Sequence, residues 1–108
     1  MRVPLQDRVH HRADLVLSLR LVVEGRTVVG TSADISVGGL RAVLPESLPF
    51  GTKAKVHVQL PALPDESVID AEVRWSQAEA GGGFSVGLQF LRVRARETWA
   101  LNQIIRGA

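Results

Sequence analysis

The chain has 108 residues, 45% of them hydrophobic and 22% charged, with no cysteine. That suffices for one packed domain and excludes a disordered chain, a disulfide scaffold and thiolate chemistry. Net charge is +2 but uneven, with +2 in residues 1–12, +3 in residues 92–108 and −3 between them; basic ends suit a small anionic ligand or an acidic partner patch better than a long nucleic-acid groove, which needs a continuous basic stripe.

Residues 1–12 contain Pro4 and show no apolar periodicity. They read as an N-terminal arm ahead of a single domain over residues 13–108. From there period-2 alternation dominates, the mark of half-buried strands. In residues 15–23, Leu15, Leu17, Leu19, Leu21 and Val23 share one face. Glu24-Gly25-Arg26 forms a hairpin connection into residues 27–36, where Val29, Thr31, Ala33 and Ile35 are expected to face inward. A third strand covers residues 40–44 after the Gly38-Gly39 turn, and residues 45–51 form a loop. A fourth covers residues 53–60, with Ala54, Val56, Val58 and Leu60 inward. A Pro-rich loop leads to a fifth, residues 68–77, with Ile69, Ala71, Val73 and Trp75 inward. Gly81-Gly82-Gly83 turns the chain into a sixth, residues 84–90, with Phe84, Val86, Leu88 and Phe90 aligned. Over residues 94–105 the period lengthens: Thr98, Leu101 and Ile105 fall at i, i+3 and i+7 beside Ile104, which predicts a short helix. Trp75 and Trp99 read as core and helix-packing residues. The fold class is therefore all-β: a six-stranded antiparallel barrel or sandwich with one terminal helix.

No apolar run approaches the ~18 residues of a membrane span. The start, Met1-Arg2-Val3-Pro4, lacks the apolar core of an export signal. A cytoplasmic protein without membrane insertion is expected.

One pair of motifs carries chemistry. Arg8-Val9-His10-His11-Arg12 reads as R-x-x-x-R, and Asp34-Ile35-Ser36-Val37-Gly38-Gly39 reads as D-x-S-x-x-G. Arginines suit phosphate oxygens and purine edges or faces. A carboxylate accepts hydrogen bonds from the ring N–H and amino group of guanine. Asp34 and Ser36, two apart on a strand, share a face. With Ala33 and Ile35 assigned inward, that face is the outside of the sheet, an exposed shelf. Gly38 and Gly39 supply permissive backbone for a sharp turn or close ligand approach. Arg8 and Arg12, four apart, converge from the arm. Hydrogen bonds to charged groups contribute roughly 1.5–3 kcal/mol each, and micromolar binding needs about 8 kcal/mol, so two arginines, a carboxylate and stacking suffice where one arginine does not. The groups together suit an anionic guanine nucleotide.

Other chemistry lacks parts. His10 and His11 are adjacent and point to opposite sides of an extended arm, and His57 is the only other histidine. No cysteine or carboxylate cluster completes a metal site. Asp34 and Ser36 on one strand face lack the His-bridged geometry of a triad. No catalytic residue, metal or cofactor is therefore expected. His10 and His11 remain accessory to ligand contact. The run Arg92, Arg94, Arg96 reads as a solvated face, with a role in assisting the ligand or engaging an acidic partner as the alternative.

R-x-x-x-R followed after a spacer by D/N-x-S-x-x-G resembles the signature of the PilZ domain family. Ala71-Glu72-Val73-Arg74-Trp75, then Phe84-Ser85-Val86-Gly87-Leu88-Gln89-Phe90, is similar to the late V-x-W and G-V-G-x-x-F strand pair of that family. The resemblance covers nearly the whole chain. It implies a six-stranded antiparallel barrel that binds cyclic di-GMP. Arg8 and Arg12 would bind phosphate and guanine; Asp34, Ser36, Gly38 and Gly39 would form the rest of the ligand shelf. It further implies that the arm closes over the ligand and passes the signal to an unidentified partner protein in motility, exopolysaccharide or biofilm control, from a monomer or weak dimer. The residue before R-x-x-x-R, basic where a stacked ligand pair is captured, is here Asp7, which disfavours that mode. The alternative reading is a PilZ-like protein–protein interaction module that acts without ligand.

Overall fold

A computed structural model of the chain describes residues 11–107. The alternating segments form antiparallel strands β1 (Ala13–Asp14), β2 (Ser18–Val23), β3 (Arg26–Ile35), β4 (Gly39–Leu44), β5 (Lys53–Val58), β6 (Ser67–Ala78) and β7 (Phe84–Arg92), followed by helix α1 (Ala95–Gly107). Six strands close a ring in the order β3-β2-β5-β6-β7-β4, with β4 pairing back onto β3. The expected six-stranded barrel with a C-terminal helix is what forms, with β1 as one extra strand.

The core fills from the inward positions of every strand. Leu21, Ile35, Val56, Ala71, Val73 and Val86 are fully buried, and Ala100 and Leu101 bring α1 onto the same cluster. Closure of the ring leaves few unpaired edges, which otherwise recruit other strands.

Three departures from simple alternation matter. The first predicted strand, residues 15–23, is shortened to β2, because residues 15–17 interrupt the ladder between β2 and the unexpected β1. The buried hydroxyl of Ser32 bridges that interruption: it accepts from Leu17 N at 2.9 Å and donates to Leu15 O at 2.5 Å. In β3 the pairing to β4 slips between Ser32 and Asp34. This bulge reverses the phase of the strand. Val28 and Ser32 are buried and Val29 is exposed, so the inward assignment of Val29, Thr31 and Ala33 is corrected; only beyond the bulge does Ile35 face the core as expected. In β6 the pairing to β7 slips between Val73 and Trp75. Trp75 thereby turns outward and is 43% exposed, which overturns its core assignment. A bulge inserts a residue without changing composition or mean alternation, so periodicity does not reveal it.

Trp99 is 52% exposed on α1 and likewise does not pack in the core. The helix is instead pinned by Glu97 in its first turn, whose side chain is buried. Its carboxylate accepts from Ser67 Oγ at 3.1 Å, Arg96 Nε at 3.1 Å and Arg94 Nε at 3.2 Å. Two of the three arginines read as a solvated face are thus cations for a buried acid.

Burial pushes the Glu97 carboxyl up, but Arg94, Ser67 and Arg96 together outweigh it and hold it below the usual carboxylate range. A carboxylate depressed in the folded state stabilises above its unfolded pKa, and that stability is lost as pH falls through the folded value. Glu97→Ala is expected to cost about 1–3 kcal/mol at neutral pH. Urea melts should show its deficit against the parent shrinking as the medium is acidified through that range.

Candidate functional site

The two bulges bring one row of side chains to the outer face. Asp14 pairs with Asp34, Asp34 with Arg41, Arg41 with Gly87 and Gly87 with Trp75, so neighbouring positions run across β1, β3, β4, β7 and β6. Side chains opposite one another in a ladder touch directly. Without the β3 bulge, Asp34 would share the inward phase of Val28 and Ser32. Without the β6 bulge, Trp75 would share the inward phase of Val73.

Asp34 is held from both sides. Arg12 Nε donates to its Oδ1 at 2.7 Å and Arg41 Nε to its Oδ2 at 2.9 Å. Its side chain is only 15% exposed. That burial pushes the carboxyl up; the hydrogen bonds and charges of Arg12 and Arg41 outweigh it and hold Asp34 below the usual range, as an anion. Arg41 continues to Ser85, donating from Nη1 to Oγ at 3.2 Å, and the Ser85 hydroxyl donates in turn to Glu79.

Ser36 is fully buried rather than displayed on a shelf. Its Oγ donates to Gly39 O at 3.2 Å and accepts from Gly38 N at 3.1 Å, with Arg12 Nη1 at 3.4 Å. Ser36 N also bonds Gly39 O at 2.8 Å, closing the β3–β4 turn. Ser36 is therefore the staple of the turn and the seat of Arg12. Gly38 and Gly39 lie in the expected turn, and neither has positive φ. Gly39 lies so close to β7 that a Cβ would sit 2.1 Å from Leu88 O. Only hydrogen fits there. Gly38 O accepts from Phe90 N at 2.9 Å, fixing the turn to β7.

Arg12, Asp34, Ser36, Gly38, Gly39 and Arg41 line one cavity of about 450 Å³, together with Arg74, Trp75, Gly87 and Gln89. Its size lies within the range of small-molecule sites, roughly 300–1,000 Å³. Five of the six expected ligand residues thus meet in one place. Arg8, with Asp7 and His10, lies outside the described residues. His11 is exposed and is not among the lining residues.

A family model described as the PilZ domain matches residues 6–107. The chain belongs to the PilZ domain family. Among solved structures it is similar to the Bacillus subtilis inhibitor of motility MotI/DgrA, with a TM-score of 0.81 and 25% identity over 99% of this chain and 53% of that one. It is similar to the PilZ domain of Escherichia coli YcgR, solved with c-di-GMP, with a TM-score of 0.71 and 18% identity over 94% and 91% of the two chains. A Xanthomonas campestris protein described as a tetrameric PilZ domain self-assembled via a helical bundle matches with a TM-score of 0.57 and 29% identity, over 73% of this chain and 45% of that one. The chain spans about half the length of the MotI structure. No curated protein matches it.

Sequence reasoning missed Arg41, Arg74 and Trp75 as lining residues of this PilZ domain. Gly87 carried the available signal. A Cβ there would stand 2.1 Å from Trp75 Nε1, so the indole occupies the space a side chain would fill. In a Trp99→Phe background, Gly87→Ala is expected to lift the indole away from the strand. Trp75 emission should shift to the red with greater acrylamide quenching; an unchanged spectrum would mean that Gly87 does not seat it.

Proposed function

We propose that this PilZ domain is a receptor for cyclic di-GMP that passes the level of this second messenger to a partner protein. The observation that carries the reading is the convergence of Arg12, Asp34 and Ser36, with Gly38 and Gly39, on one cavity. Arg12 offers a guanidinium to phosphate or guanine, and Asp34, kept anionic, accepts from the guanine N–H groups. Trp75 adds an aromatic face to the same cavity. Arg8 supplies the second arginine of the arm. In this reading ligand draws Arg12 away from Asp34 and orders the arm, residues 1–12, over the barrel, residues 13–108. Asp7 next to Arg8 favours one ligand over a stacked pair, and His10 and His11 are accessory. The presence of c-di-GMP in the YcgR domain and the naming of MotI as an inhibitor of motility support the ligand class and lean the process toward motility, ahead of exopolysaccharide or biofilm control. The protein acts as a cytoplasmic adaptor, not an enzyme, as a monomer or weak dimer.

One observation favours the alternative, a module working without ligand: Arg12 already satisfies Asp34 and reaches Ser36. Capture of the same partner with and without nucleotide, undiminished by Arg12→Ala, would favour it.

Calorimetry with cyclic di-GMP tests the receptor reading. Saturable heat is expected, and none at ligand concentrations up to about 100 µM, a level equivalent to roughly 5–6 kcal/mol, would overturn it. Arg12→Ala is expected to weaken binding about tenfold or more. Its stability should stay within about 1 kcal/mol, because the lost pair is a partly exposed one and Asp34 keeps Arg41. Affinity should fall as pH drops through the depressed Asp34 pKa.

A further inference from the structure

Both oxygens of Asp34 are engaged, one by each arginine. For Asp34 to accept from a ligand, at least one guanidinium must give way. The two are not equivalent. Arg12 precedes the first paired residue, Ala13, its side chain is 44% exposed, and its second contact, to Ser36, is long at 3.4 Å. Arg41 is carried in the middle of β4 as the ladder partner of Asp34. Its guanidinium is braced by Ser85, and Ser85 by Glu79. Glu79 is itself tied into the β6–β7 hairpin by its N–H to Gly83 O at 3.0 Å and its carbonyl to Gly82 N at 3.1 Å. The groups facing Asp34 are thus Arg12 from the arm side, Arg41 from β4 and, across the ladder on β1, Asp14, with Arg74 of β6 also lining the cavity. Like charges opposite one another are unfavourable. Once Arg12 turns to the ligand, Asp34 would face Asp14 and an incoming phosphodiester, both anionic, with Arg41 as its bonded cation.

We propose that Arg41 is the positioning residue of the site: braced by Ser85 and Glu79, it holds Asp34 in place as a hydrogen-bond acceptor while Arg12 transfers to the ligand. The proposal rests on the receptor reading above for its ligand and on the Arg41–Asp34–Ser85 geometry for its mechanism. Arg41 acts through Asp34, so replacing it changes the state of Asp34 as well as affinity. The direction follows from charge: removing Arg41 leaves burial of Asp34 less opposed, so its carboxyl titrates at higher pH.

The test has two arms. In ligand-free protein, the Asp34 carboxyl carbon is titrated by NMR. Its midpoint should move upward in Arg41→Ala and by less in Arg41→Lys; an unmoved midpoint in both, with native spectra, overturns the proposal. In calorimetry with cyclic di-GMP, Arg41→Ala should weaken binding about ten- to hundredfold. The acid limb of the affinity profile should shift to higher pH, with Arg41→Lys recovering part of the affinity. Ser85→Ala, which removes only the brace, should give a smaller loss in the same direction. Binding by Arg41→Ala with parental affinity and pH profile overturns the proposal. If the parent protein itself binds no cyclic di-GMP, the receptor reading falls, and the Asp34 titration alone decides whether Arg41 controls that carboxylate. If Arg41→Ala does not fold, Arg41→Lys and Ser85→Ala carry both arms.

Discussion

The slip of one residue in β3 and again in β6 governs how this barrel presents a site. A closed antiparallel barrel commits alternate residues to core and solvent, and a strict alternation would put Asp34 and Trp75 inside with Ser32 and Val73. Each bulge reverses the phase of its strand once, so that in β3 Ile35 rather than Asp34 continues the core after Val28 and Ser32. The result is a row, Asp34, Arg41, Gly87 and Trp75, whose members are ladder neighbours across four strands. Its geometry is set by backbone pairing rather than by a loop, and sites on strands are held more precisely than sites on loops.

Charge follows the same frame. A largely buried carboxylate is an unfavourable arrangement on its own. Two guanidiniums reverse the balance, one from the segment before the barrel and one from the neighbouring strand. The helix repeats this solution at the other acid of consequence, where Glu97 is buried against Ser67 under Arg94 and Arg96. In a chain with eleven arginines and two lysines, arginine supplies both clamps. Its planar fork spans two acceptors at once, as Arg41 does between Asp34 and Ser85.

Much of this was legible in the residues. The antiparallel strands and the helix follow from periodicity, which leaves barrel and sandwich open; the resemblance to the PilZ family, carried by the two motifs, points to the barrel and to Arg12, Asp34, Ser36, Gly38 and Gly39 as one site. What the residues concealed was register. Nothing in Val28-Val29-Gly30-Thr31-Ser32-Ala33 marks the extra residue, so the inward set was assigned one position out. Trp75 looked like core because a large aromatic in an alternating run normally is. Ser36 looked exposed because it follows Asp34 by two, yet the turn to Gly39 folds it under. Arg41 was passed over because a lone arginine on a strand has no local signature; its partners lie 7 and 44 residues away.

Gly87 has a consequence beyond packing. With only hydrogen at that position, the indole of Trp75 rests on the strand itself and forms one wall of the cavity. Asp34, Arg12, Arg41 and Arg74 bring the charge to the same cavity. Gly87 is also the ladder partner of Arg41, so contour and polarity are linked through it. A residue of different bulk at position 87 would displace the indole and crowd the guanidinium that holds Asp34, so a single position sets both the shape of the cavity and the placement of its carboxylate.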